Sequence, residues 1–305
     1  MKYINIGNEE IKASSIALGC MRISDKPTKQ VEELIDTALE EGINFFDHAD
    51  IYGGGKSEEV FGKVLKKKKG LRGKIIIQTK CGIRSGYYDF SKEHILKSVE
   101  GSLKRLGTDY IDILLLHRPD TLMEPEEVAE AFSILHSSGK IRNFGVSNFN
   151  PMQIELLSKY LNQRLIVNQL QFSIVHTGMI DFGFNVNMKV DQAINRDGSV
   201  LEYCRLKGIT IQAWSPFQYG FFEGTFLGNE KFKELNEKID EIAIQKGVPS
   251  IAIPIAWILR HPAKIQAIVG TTNPARLKDI CKAADIELTR EEWYALYRSA
   301  GNKLP

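Results

Sequence analysis

The sequence predicts an α/β protein: a single (β/α)8 barrel spanning residues 1–305, with an N-terminal β-hairpin and an extra C-terminal helix. Three observations carry this expectation. Short apolar runs alternate with helical stretches through eight successive units. No break in composition divides the 305 residues, and barrels of this length commonly form one domain. A doubly wound sheet that binds a dinucleotide would carry Gly-x-Gly-x-x-Gly after its first strand, and that pattern occurs nowhere in the chain.

Residues 1–13 read as two short strands around Gly7-Asn8, a small hairpin ahead of the main fold. Residues 15–18 form the first barrel strand. Residues 30–41 form a helix with Leu34, Ile35, Ala38 and Leu39 on one face and Gly42 as its stop. The second strand is 43–46, followed by a helix at 58–65, and the third strand is 74–79. Ser91 caps a helix with Ile95, Val99, Leu103 and Leu106 on its apolar face, closed by Gly107. After the strand 111–116, Pro125 opens a helix that Gly139 ends. Residues 141–146 are a strand, and Asn150-Pro151 supplies a cap and first turn for a helix reaching Tyr160. The strand 165–169 leads into an irregular stretch, 172–197, rich in Gly, Asn and Asp. A loop of that length suggests a substrate or cofactor loop. A helix at 199–206, a strand at 209–213, helices at 230–246 and 249–260, a strand at 265–269 and a helix at 274–284 complete the units. A further helix is expected around 291–298.

Composition excludes several classes. A net charge of +2, from 40 basic and 38 acidic residues, gives no reason to expect nucleic acid or an anionic membrane as partner. The basic run Lys66–Lys69 reads as a solvated helix end. Cys20, Cys81, Cys204 and Cys281 are widely spaced, with neither Cys-x-x-Cys nor a Cys/His zinc spacing. With no signal-peptide core and no apolar run of spanning length, the expected location is the cytoplasm. No His-x-His or His-Glu-x-x-His is present, so no metal site is expected.

The chemistry is expected at the strand ends, because the loops that follow the strands of a parallel barrel carry its active site. The apolar run at 43–46 empties into Asp47, and Tyr52 follows five residues later. The strand beginning at 74 ends at Lys80, and the strand 111–116 ends at His117. Each residue taken alone has an ordinary role: a cap, a packed phenol, a snorkelling ammonium, a satisfied histidine. Three strand ends converging on one face make the set more telling. A phenol near pKa ~10 donates its proton sluggishly at neutral pH. An adjacent ammonium favours the phenolate and improves the acid, while a carboxylate keeps the lysine charged and in place. An imidazole facing the same space suits a carbonyl oxygen.

These residues resemble the aldo-keto reductase family, over nearly the whole chain. The pattern Gly-x-x-x-x-Asp-x-Ala-x-x-Tyr-Gly is matched by Gly42, Asp47, Ala49, Tyr52 and Gly53, and a second by Leu106-Gly107-Thr108-Asp109-Tyr110-Ile111-Asp112 ending in His117. The resemblance implies a catalytic set of Asp47, Tyr52, Lys80 and His117, with Tyr52 the proton donor. It also implies NADPH (NADP+) as cofactor, held by Ser147, Asn148 and Gln169 at the nicotinamide carboxamide and by Ser215 nearby. Trp214 would be the nicotinamide platform, although core packing also accounts for it. The family's Lys-Ser-x-x-x-x-Arg motif for the adenosine 2′-phosphate is Gly270-Thr271-x-x-x-x-Arg276 here. Thr271 and Arg276 keep a hydroxyl and a guanidinium, while the lysine is missing, and Ile280 stands where an asparagine is usual. His48 is read as packing away from the site.

The function implied is reduction of aldehydes or ketones to alcohols, with a small-molecule carbonyl as partner and a monomeric protein. The alternative is an NADP(H)-binding sensor that turns over little. Candidate substrate-pocket residues are Met21, Arg22, Tyr87 and Tyr88, with Phe182 and Phe184 from the long loop. Arg22 is read as pairing with a nearby acid rather than attracting an anion.

Overall fold

The computed structural model describes residues 1–7 and 11–305. Eight parallel strands close into a barrel. They are β3 (Ile16–Gly19), β4 (Phe45–Asp47), β5 (Ile76–Cys81), β6 (Ile111–Leu116), β7 (Ile141–Ser147), β8 (Leu165–Gln171), β9 (Thr210–Trp214) and β12 (Gln266–Val269), which pairs with both β9 and β3. Helices α1 (Thr28–Glu40), α2 (Lys56–Lys67), α3 (Lys92–Leu106), α4 (Pro125–Ser137), α5 (Pro151–Ser158), α7 (Val200–Lys207), α8 (Lys233–Lys246), α9 (Ala252–Leu259) and α10 (Pro274–Cys281) surround it. This is the (β/α)8 barrel that the alternation predicts. Among the described residues, no helix is long and apolar enough to cross a membrane.

The predicted punctuation is present. Ser91 Oγ accepts the His94 amide at the start of α3, and Gly107 ends that helix in the left-handed region. Asn150 and Gln153 form a reciprocal capping box on α5. The first two strands, β1 (Tyr3–Ile6) and β2 (Ile11–Ser14), pair antiparallel as expected; Asn8, at the predicted turn, lies outside the described residues. The hairpin adds Ile6 and Ala13 to a small core shared with Ala17, Phe45, Ile113, Leu115 and Val167. Gly7 lies against Ile166, where a Cβ would come within 2.5 Å, and its amide donates to Thr210 Oγ1 at 2.7 Å. The hairpin is therefore fixed to the barrel end opposite the loops that follow the strands.

Pleating sorts the strand residues. Phe45 and Asp47 point into the barrel, and Phe46 points out to the helices. The larger core lies between sheet and helices, and α11 (Arg290–Ser299) closes one side by stacking Trp293 on Trp257 at 4.7 Å. Between α2 and α3 the helices approach so closely that a Cβ at Gly62 would sit 2.2 Å from the Arg105 carbonyl oxygen. Gly62→Ala is accordingly expected to cost about 1–3 kcal/mol through forced separation of the two helices. Urea unfolding of the variant checks this, and an unchanged midpoint would contradict it.

The segment 172–197 departs from expectation. It carries the short helix α6 (Gly178–Phe184) and a 3-10 turn, Asp191–Ala193. Thr177, Tyr297 and Asn302 tie it to the C-terminal region through Asp181 and through the Thr177 hydroxyl. A second departure follows β9, where β10 (Gln218–Tyr219) and β11 (Gly224–Thr225) form a two-residue ladder presenting Phe221 and Phe222. Two paired residues per strand leave no period to read in sequence.

Candidate active site

Register brings the strand-end residues together. Asp47 on β4 is level with Gln78 on β5, and pleating turns Gln78 and Lys80 to the same, inward side. Lys80 Nζ is the hub. It donates to Asp47 Oδ1 and Oδ2, both at 2.8 Å, to the His48 carbonyl oxygen at 2.7 Å and to Tyr52 Oη at 3.2 Å. The Lys80 side chain is 0% exposed and that of Asp47 3%, so the pair is a buried one. Burial works against the ammonium, but Asp47 and Tyr52 outweigh it, and the Lys80 pKa lies above the ordinary lysine value. Tyr52 shows the opposite balance. Burial raises its pKa by more than Lys80 lowers it, with Asp47 adding to the rise, so the expected depression of the phenol is reversed. The phenol stays a proton donor throughout the neutral range. His117 meets Tyr52 edge to face, with centroids 5.9 Å apart. Burial, then Lys80 and Arg118, hold its pKa well below the usual histidine value, so the ring is neutral.

Gln78, Gln212 and Gln266, absent from the sequence reading, form the layer beneath together with Gln169, which was expected at the nicotinamide. Gln78 Nε2 donates to Asp47 Oδ1 at 2.6 Å and to Gln212 Oε1 at 2.8 Å, and Gln169 Nε2 donates to the same two atoms at 3.1 and 3.0 Å. Gln212 donates to Gln266, which donates to the Ser14 carbonyl oxygen. Asp47 is thus fixed by two amides as well as by the ammonium. The signal available in sequence was parity: Gln78 and Lys80 are two apart, as are Gln212 and Trp214.

Behind the tetrad, on the outward side of β4 and β5, lies a second polar group. His48 packs its ring edge on Phe61 at 4.6 Å, away from the site as expected, and burial holds its pKa at about 3. Glu58 accepts from Thr79 Oγ1 at 2.6 Å and from Arg105 Nε at 2.8 Å. Asp50 donates its amide to the Lys80 carbonyl, while its Oδ1 is buried without a partner. Burial, then Glu58, push its carboxyl up to about 7, against the pull of Arg105. The folded chain therefore keeps a proton that the unfolded chain releases near pH ~3.9, so stability falls as pH rises from there to about 7. Asp50→Asn is expected to stabilise the protein at pH ~8, where the whole penalty is present, and to do so much less at pH ~4. Urea unfolding at the two pH values checks this; equal shifts would contradict it.

The tetrad opens into a cleft of about 790 Å³. Its wall carries a relay from Trp214 Nε1 to Asn148 Oδ1 at 3.1 Å, from Asn148 Nδ2 to Ser147 Oγ at 2.8 Å, and from Ser147 Oγ to the Gln169 carbonyl oxygen at 3.0 Å. Asn148 and Ser215 both adopt positive φ, 61° and 52°, where the chain turns out of β7 and β9. Phe222 lies stacked on Trp214 at 5.8 Å and 24°. Thr271 and Arg276, at the start of α10, and Ile280, in its last turn, line the far end of the cleft.

Of the proposed pocket residues, Met21, Arg22 and Tyr88 line the cleft. Among the described residues Arg22 pairs with no acid: its Nη1 donates to the Gly270 carbonyl oxygen at 3.4 Å, at the Thr271 and Arg276 end. Tyr87 does not line it. It is 55% exposed, its ring 5.6 Å from the Arg84 guanidinium, because it sits in the bend between the bridge partners Ile83 and Tyr88. Phe184 packs on Tyr294 and Tyr297, and Phe182 lines neither this cleft nor the cavity beside it. Their place in the pocket is taken by Phe221 and Phe222 from the ladder after β9.

Comparison with known proteins gives a consistent picture. The profile of the Aldo/keto reductase family matches residues 15–299. A 6-dehydroglucose reductase of Agrobacterium fabrum is 37% identical over 97% of both chains. An uncharacterized oxidoreductase of Bacillus subtilis is 37% identical over 95% of both. A thermostable aldo-keto reductase crystallised with the inhibitor epalrestat superposes with a TM-score of 0.79 at 28% identity, over 98% of this chain and 100% of that one.

Proposed function

The chain belongs to the aldo/keto reductase family and is thereby an oxidoreductase; from that premise we propose that it is an NADPH-dependent reductase of aldehyde or ketone carbonyls. The observation that carries the reading is Lys80 Nζ, bonded at once to Tyr52 Oη and to both Asp47 oxygens at the floor of the cleft.

The cleft's residues suit the cofactor. The ring of Phe222 on Trp214 is the contact a nicotinamide would make, with the indole plane held by Asn148. At the other end, Arg276 opens toward solvent beside the positive end of α10. Arg22, beside Gly270, contributes a second guanidinium where the family's lysine is missing. Together they favour a phosphate on the adenosine ribose and support NADPH over NADH. When bound, NADPH supplies the hydride.

The protein's own residues supply the rest. His117, neutral, donates from Nε2 to the carbonyl oxygen and orients it. Tyr52 Oη gives its proton to that oxygen as negative charge develops there. Lys80 stabilises the resulting phenolate, and Asp47 keeps Lys80 charged and aimed. The experiment is NADPH oxidation, followed by absorbance, against aldehydes, dicarbonyls, ketones and a sugar aldehyde, with NADH in parallel. The name of the Agrobacterium relative places 6-dehydroglucose on that panel. Turnover with NADPH ahead of NADH is expected; tight NADPH binding with no turnover on any carbonyl would sink the reading.

A further inference from the structure

One cation in the cleft has no part in the tetrad or the phosphate end. Arg118 follows His117 directly and lines both the cleft and a second cavity of about 730 Å³ beside it. Its guanidinium lies 5.6 Å from the Trp214 centroid and 5.7 Å from that of Phe221. The phenols of Tyr52 and Tyr88 are close enough to act on it electrostatically. Among the described residues it has no ion-pair carboxylate and no hydrogen-bond acceptor. A guanidinium carries five N–H donors in a rigid fork, and none of the Arg118 nitrogens is sealed away from the cavities. The aromatic faces hold this fork in place without satisfying its donors. Water reaches these donors from the cavities, a ligand carrying oxygen acceptors can replace it, and the position of Arg118 next to His117 puts such acceptors near the reacting carbonyl. The adjoining cavity has mixed walls, with Gln171, His176, Asp181, Arg196 and Asp197 set among apolar side chains, and has room for the remainder of an oxygen-rich molecule.

We propose that Arg118 determines specificity by gripping oxygen acceptors, a carboxylate or vicinal hydroxyls, carried close to the reacting carbonyl. The preferred substrates are then short, oxygen-rich aldehydes or ketones rather than plain alkyl or aryl ones. This rests on the reductase reading above and adds the substrate class to it.

The test compares kcat/KM for two pairs of an oxygenated and a plain aldehyde, succinic semialdehyde against pentanal and glyceraldehyde against propanal, in wild type and Arg118→Leu. In wild type the oxygenated member of at least one pair is preferred. In the variant that preference falls by about 10–100-fold, the worth of a charge-assisted hydrogen-bonded contact. The plain aldehydes lose much less. A fall confined to the first pair identifies a carboxylate as the acceptor, and one confined to the second identifies hydroxyls; either supports the proposal. A purely structural role beneath Trp214 would lower both members of a pair together, and an unchanged ratio overturns the proposal while the reductase reading stands. If Arg118→Leu does not fold, as judged by circular dichroism, or folds without binding NADPH, Arg118→Gln decides by the same ratio. Failure of wild type to oxidise NADPH with any of the four overturns the reductase reading, and this proposal with it.

Discussion

Tyr52→Phe is expected to lower kcat by about 10²–10⁴-fold, the range that a positioned general acid supplies, while NADPH binds as before. The substitution removes one oxygen and nothing else. Lys80 keeps both Asp47 oxygens and the His48 carbonyl, and the ring keeps its edge-to-face contact with His117. The residues proposed to hold the cofactor, Trp214, Asn148 and Arg276, are untouched. A loss of turnover with cofactor affinity retained therefore isolates the proton transfer. Because burial holds the phenol's pKa above its ordinary value, the wild-type rate is expected to persist through neutral pH. It should fall only in the alkaline range, above pH ~10, as the donor loses its proton. Steady-state kinetics with both proteins across pH checks both parts. A variant that turns over like wild type would show that Tyr52 only packs.

Lys80→Met carries the largest expected loss of stability, about 3–5 kcal/mol, because it leaves the Asp47 carboxylate buried without its counter-charge. The two amides that remain on Asp47, from Gln78 and Gln169, are neutral donors and cannot replace an ammonium. Since the folded-state pKa of Lys80 is raised, its contribution is fully present below the unfolded lysine value of ~10.4 and is lost only as pH rises through the folded value. The deficit should accordingly be constant through neutral pH. Chemical unfolding of the variant at neutral pH measures it, and a loss below about 1 kcal/mol, the level of an exposed pair, would contradict the buried-pair account.

Much of this was legible in the sequence, and the reasons are local. The eight-unit alternation, the caps at Ser91 and Asn150 and the stop at Gly107 are written in adjacent residues, and the structure places them as expected. Asp47, Lys80 and His117 were found because polar residues ending apolar strands have one place to converge in a barrel. What was missed depends on contacts across the sequence. Gln78, Gln212 and Gln266 sit inside strands and read as interruptions of an apolar run until register aligns them. Arg118 looks like any residue after a histidine until Trp214 and Phe221, far along the chain, come beneath it. Tyr87 and Tyr88 are set apart by the bridge between Ile83 and Tyr88, which a short irregular loop does not reveal. Arg22 was read toward an acid because charge suggests charge, and the fold gave it a carbonyl.

The most direct measurement of the central claim is a single turnover. The preformed complex of the wild-type protein with NADPH, deuterated at the transferring position, is mixed rapidly with an aldehyde, and the alcohol is analysed by mass. The account predicts one alcohol formed per cofactor consumed, with the deuterium on the former carbonyl carbon. Cofactor that stays bound and unoxidised, or alcohol without the label, would contradict it.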